Sequence, residues 1–212
     1  MKNFISRSAV SFAAVALFAA AAYGQADNAG GDGAMLATKI PALHGAAAPL
    51  RVTSSDFTSG GKLDDKYAFN GGNMSPGVSW ARGPAGTQSY AVLSEGVSFE
   101  DGHSAVVHWV IYNIPSSTTT LPQHVPNDPH LKTGALNGAE QAKTGRGLVG
   151  YVGPRPGAVG RTVPYHFEVF ALDTHLDLDP DTADRQAVVN AMKNHVLTSG
   201  EIVVNYTNHA GK

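Results

Sequence analysis

The sequence predicts a mainly β protein, a sandwich of short strands with one helix near the C-terminus. Three observations carry that expectation. Apolar runs are short and rich in Val, Ile, Tyr and Trp; 24 glycines and 12 prolines in 212 residues punctuate them; and one stretch, after Asp181, repeats apolar residues at helical spacing. Such punctuation belongs to all-β proteins more than to alternating strand–helix units. The length fits one domain, and no fixed-period repeat is visible.

Taken in order, residues 1–24 read as a secretory signal. Lys2 and Arg7 form a positive start, Ala9 to Ala22 is an apolar stretch short for a membrane span, and Ala22-Tyr23-Gly24 offers small residues to a signal peptidase. Cleavage after Gly24 would leave 13 basic against 17 acidic residues, net −4, in a periplasmic or secreted protein without a transmembrane segment. Residues 25–50 contain Asn-Ala-Gly-Gly-Asp-Gly and few large apolar side chains, so they are expected to form a flexible arm before a single domain over 51–212. Leu50 to Phe57 alternates. Ser89 to Leu93 and Ala105 to Ile114 are continuous apolar runs too short between breakers for typical helices. Phe167 to Leu172 and Glu201 to Tyr206 add two strands. Pro122 to Gly160 is a long, turn-rich stretch of the kind that carries function. Asp181 to Asp184 supply N-cap oxygens for a helix through Val188, Val189, Met192 and Val196, ending near Ser199-Gly200.

Composition excludes several classes of function. With Lys plus Arg at 15, Asp plus Glu at 17 and no basic run, nucleic acid is not an expected partner. The absence of cysteine removes disulfides, thiolate metal sites and thiol nucleophiles. His103, His124 and His130, with Glu100, Asp101 and Asp128, lack metal-ligand spacing, so no metal or cofactor is expected. No Gly-x-Ser-x-Gly elbow is present, and Ser75 before Pro76 reads as a turn residue.

Individual residues leave alternatives open. His108 stands in an apolar run, where a histidine either satisfies its nitrogens in the core or presents one to a cavity. Strict alternation puts Val106, His108 and Val110 on one face and Val107, Trp109 and Ile111 on the other. Gly150 to Gly157 forms either a rigid turn or a source of free N–H groups for an anion, with Arg155 as a nearby cation. Glu95 is an exposed strand-end carboxylate or one that orients His108 or Tyr165; reaching into a cavity, it would repel dianions at neutral pH.

Four stretches in order resemble the phosphatidylethanolamine-binding protein family in its bacterial Raf-kinase-inhibitor-like branch. They are Gly72-Asn73-Met74-Ser75-Pro76-Gly77-Val78-Ser79-Trp80, Val107 to Pro115, Gly150-Tyr151-Val152-Gly153-Pro154-Arg155-Pro156, and Tyr165 to Asp173, with a similar closing segment from His195 to Val203. The resemblance runs from about Val52 to Tyr206. It implies a β-sandwich with peripheral helices and a small pocket for an anionic, zwitterionic or phospholipid-head-type ligand. By the same resemblance His108, Tyr151, Gly153, Pro154 and Tyr165 belong to that pocket, with Glu95 in place of the family's aspartate and Val163 in place of its second histidine. The resulting expectation is an exported, non-enzymatic binding protein, with modulation of an unidentified protein partner as a further role. The rivals are a hydrolase using the same pocket and an interaction protein whose pocket is vestigial.

Overall fold

The computed structural model describes residues 35–98, 102–155 and 157–209; the signal reading of residues 1–24 lies outside them. Among the described residues, eight strands form two antiparallel sheets. The small sheet has the order β1 (Val52–Thr53), β2 (Val78–Trp80), β5 (Thr120–Leu121). The large one runs β6 (Glu140–Gln141), β4 (Ala105–Pro115), β3 (Ser89–Val97), β7 (Thr162–Leu172), β8 (Val196–Thr207). The expected mainly β sandwich is what forms. β3 and β4 read as continuous apolar runs because the large sheet is covered on both faces. One face meets the small sheet through Trp80, Trp109, Ile111, Ile114 and Phe167. The other packs Val107, Val110, Tyr112, Phe170 and Leu172 against Val188, Val189 and Met192 of the helix α1 (Arg185–Met192).

Strict alternation in β4 fails at His108. Ser94 pairs with Trp109 and Glu95 with Val107, so His108 is an extra residue opposite no partner, a β-bulge. Val107 therefore enters the helix-side core, while Trp109 joins the inter-sheet core and His108 turns to the same side, against Tyr165. The expected grouping of His108 with Val110, away from Trp109, is corrected by this bulge.

Two further expectations change. The flexible-arm reading fails for its described part, because Ala37, Ile40 and Leu43 are fully buried on the helix-side core. Beyond them, Ala47 and Leu50 donate to Leu197 O and Ser199 O of β8 at 3.2 and 2.9 Å. Gly200 is needed for that approach, since a Cβ there would lie 2.0 Å from Leu50 O. The helix also stops early. Asp184 caps it, its side chain accepting from Ala187 N at 2.9 Å. It ends at Met192, before Asn194 takes a left-handed φ of 68° and Val196 starts β8. Val196 still packs on the helix-side core, so its apolar spacing was real while its secondary structure was strand.

Candidate functional site

The ends of β3, β4 and β7 open a cleft of about 100 Å³ lined by Gly96, Val97, Val106, His108, Val163 and Tyr165, with Arg146 and Arg155 contributed by loops. At about 30 Å³ per water it has room for a group of phosphate size. Gly96 leaves that space open: a Cβ there would lie 3.0 Å from the Tyr165 ring and 3.5 Å from His108 Nε2. His108 is 8% exposed, and its ring meets Tyr165 edge-on at 5.0 Å.

The protonation of His108 follows from its partners. Nδ1 lies 2.7 Å from Val152 O, a carbonyl that only accepts, so Nδ1 carries the proton and donates. Burial, with a further push from Arg146, lowers the pKa from 6.5 to about 4, against the raising effects of the Val152 bond and Glu95. At neutral pH the ring is uncharged, and Nε2 offers a lone pair toward the cleft. Positive charge at the mouth comes from Arg146 and Arg155 instead, whose guanidinium carbons sit 5.6 and 5.3 Å from the Phe69 ring centroid.

The other expected site residues divide into two groups. Tyr151, Gly153 and Pro154 stand behind the cleft rather than in its lining. Tyr151 is buried, donates to Tyr67 O at 3.0 Å and packs edge-on against Trp109. Gly153 N–H is not free for an anion; it donates to Asn73 Oδ1 at 2.7 Å. Pro154 O accepts from Phe69 N at 3.1 Å. These bonds tie the Gly150–Arg155 loop to the Phe69–Asn73 turn, and the loop's Val152 returns a bond to β4 by donating to His108 O at 2.8 Å. Ser75 is more than a turn residue, since its buried hydroxyl accepts from Val125 N at 2.8 Å.

Glu95 is the exception. It is fully buried on the helix side of the sheet, opposite the cleft, and the expectation of a pocket carboxylate that repels dianions is corrected. Its oxygens take Nε and Nη2 of buried Arg185 at 2.7 and 3.3 Å, and Ala37 N at 2.8 Å. Beside it lies Glu168, whose Oε1 accepts from Thr38 N and Oγ1 at 3.0 and 2.6 Å. Burial first, and Glu95 second, hold the Glu168 carboxyl well above its usual range. Glu168 Oε2 is buried without a hydrogen-bond partner, so this carboxyl has no donor to stabilise a charge on that oxygen.

Against this geometry the comparisons are specific. The family model described as "Phosphatidylethanolamine-binding protein" matches residues 53–207. This chain belongs to the phosphatidylethanolamine-binding protein family. A UPF0098 protein of Methanothermobacter thermautotrophicus is 36% identical over 156 residues, covering 73% of this chain and 96% of its own length. Escherichia coli YbhB, also a UPF0098 protein, is 32% identical over 164 residues, covering 74% of this chain and 100% of its own. The crystal structure of Escherichia coli YbcL, described as a new member of the mammalian PEBP family, superposes with a TM-score of 0.67 at 28% identity, over 76% of this chain and 99% of that one.

Sequence reasoning found His108 and Tyr165 and noted Arg155, and the fold brings all three to one cleft. It missed Arg146, Gly96 and Val106. Arg146 lies in an unremarkable Gly-Arg-Gly loop, and only the proximity of that loop to Phe69 marks it. Among the described residues no three His, Asp or Glu side chains are placed to share a metal ion, and no helix is long and apolar enough to cross a membrane.

Proposed function

We propose that this protein is an exported binding protein that holds a small anionic group, free or on a phospholipid head, in the cleft between His108, Tyr165, Arg146 and Arg155. One observation carries the reading: a nearly buried imidazole presents an unpartnered nitrogen to a phosphate-sized cleft whose mouth holds two arginines. Guanidinium groups are suited to phosphate and carboxylate because they donate in a planar fork. Binding without turnover fits the lining, which among the described residues offers no Ser, Thr or carboxylate beside His108. In addition, Nδ1 of that histidine is held by a backbone carbonyl rather than by the carboxylate of a catalytic triad. Export rests on the signal-like first 24 residues.

Calorimetry with inorganic phosphate tests the site. The wild-type chain is expected to bind, and the double variant Arg146→Gln/Arg155→Gln to bind at least ~10-fold more weakly with little change in Tm, because both arginines are exposed. Unchanged phosphate affinity in the double variant would remove the cleft from consideration. The intact mass of protein recovered from the periplasm or medium tests export: the expected species begins at Gln25.

A further inference from the structure

Resting on the reading above, we infer that the cleft selects anions that carry a hydrogen-bond donor, a protonated phosphate oxygen above all, and rejects anions of the same size that can only accept. His108 Nδ1 is committed as a donor to Val152 O, so the neutral ring has only an acceptor left, Nε2, and that nitrogen has no protein partner among the described residues. The groups around it do not reverse this polarity. Arg146 and Arg155 on the loops supply donors, the Tyr165 hydroxyl of β7 can act either way, and Glu95 of β3 lies across the sheet with its oxygens occupied. Gly96, Val97, Val106 and Val163 bring no polar side chain. The positive charge of Arg146 further opposes a proton on Nε2.

An anion entering this cleft meets guanidinium donors on one side and a lone pair on the other. Hydrogenphosphate matches both, because it keeps one P–OH at neutral pH. Sulfate has equal size and charge but only acceptor oxygens, and its lone pairs face that of Nε2. A site built to bond a hydroxyl discriminates strongly against an analogue that lacks it. The phosphodiester of a phospholipid has no P–OH either, whereas the monoester of phosphatidic acid has one when singly protonated. Free phosphate and a phosphomonoester lipid head are thus the two sources of one chemistry.

The test is calorimetric titration of the full exported chain with inorganic phosphate and with sulfate at matched ionic strength and pH 7.2. Cosedimentation with phosphatidylcholine vesicles containing either phosphatidic acid or phosphatidylglycerol accompanies it. Phosphate is expected to bind at least ~10-fold more tightly than sulfate. In the His108→Phe variant, which keeps a ring but has no acceptor, the ratio is expected to fall toward one. Should that variant not fold, the wild-type titration repeated at about pH 8.5, where phosphate is nearly all hydrogenphosphate, in buffers of different ionisation enthalpy replaces it: the inference requires no net proton uptake there. Phosphatidic acid vesicles sedimenting the protein while phosphatidylglycerol vesicles do not would identify the lipid source, and phosphate binding without either would identify the free ion. Equal affinity for phosphate and sulfate, or uptake of a proton with phosphate at about pH 8.5, would overturn the inference and leave the binding site standing. Failure of both anions and both vesicles to bind would overturn the proposed function itself.

Discussion

Glu168 and His108 are both buried and both keep the uncharged form, yet they push stability in opposite directions with pH. Glu168 has its folded pKa raised above 4.5 by burial and by Glu95. As pH rises past that unfolded value, the unfolded chain releases a proton that the folded chain retains, so stability falls until the folded carboxyl ionises. His108 has its folded pKa lowered to about 4 from 6.5. The unfolded chain gains a proton between those values that the folded chain refuses, so its contribution is lost as pH falls through 6.5 toward 4. Glu168→Gln separates the two. Its amide can donate toward Glu95 and accept from Thr38, copying the protonated acid, while His108 is untouched. Urea melts from pH 4 to 8 are expected to show the wild type losing stability relative to Glu168→Gln above about pH 4.5, at up to about 1.4 kcal/mol per pH unit. Parallel profiles would mean that Glu168 is ionised in the folded protein.

Among the elements, residues 150–154 of the Gly150–Arg155 loop position the site without lining it, while Arg155 lines it, and Gly153 lies against the backbone of residues 67–69. A Cβ on Gly153 would stand 2.3 Å from Tyr67 O and 2.6 Å from Phe69 N, both backbone atoms that cannot swing aside. Gly153→Ala is therefore expected to cost roughly 1–3 kcal/mol and to weaken phosphate binding as well, by displacing the neighbouring Arg155 and the Val152 carbonyl that fixes His108. A thermal melt and a phosphate titration of that variant check both halves; a Tm within a degree of wild type would contradict the packing argument. This loop also shows how far the sequence was legible. Its Gly-Tyr-x-Gly-Pro spacing identified the right region, but not that the glycine N–H was already spent on Asn73. The long strands were readable because burial on both faces made them continuously apolar. The bulge at His108 was not, since one extra residue leaves composition unchanged and only shifts register. Glu95 was misplaced for a similar reason: its partner Arg185 stands 90 residues away on α1, and nothing local announces the pair.

At the scale of the whole molecule, the family match begins at residue 53, but the fold does not. Ala37, Ile40 and Leu43 close the helix-side core from outside the matched region. The same segment supplies the Ala37 and Thr38 N–H groups that satisfy Glu95 and Glu168. Averaged over 25–50 the composition is too small and polar to offset the entropy of ordering, and that average hid the apolar residues at 36, 40 and 43. Docking this stretch buries Ile40 and Leu43 fully and gives the buried carboxyl groups their donors, and both effects oppose the entropy cost of ordering it. A chain starting at Gly45 is thus expected to fold, because the inter-sheet core lies beyond the cut, but with about 2–4 kcal/mol less stability than a chain starting at Met35, roughly 5–15 °C in Tm. It should also bind a hydrophobic dye at the uncovered face. Equal melting temperatures for the two chains would show that residues 36–44 rest on the sheet without helping to hold it together.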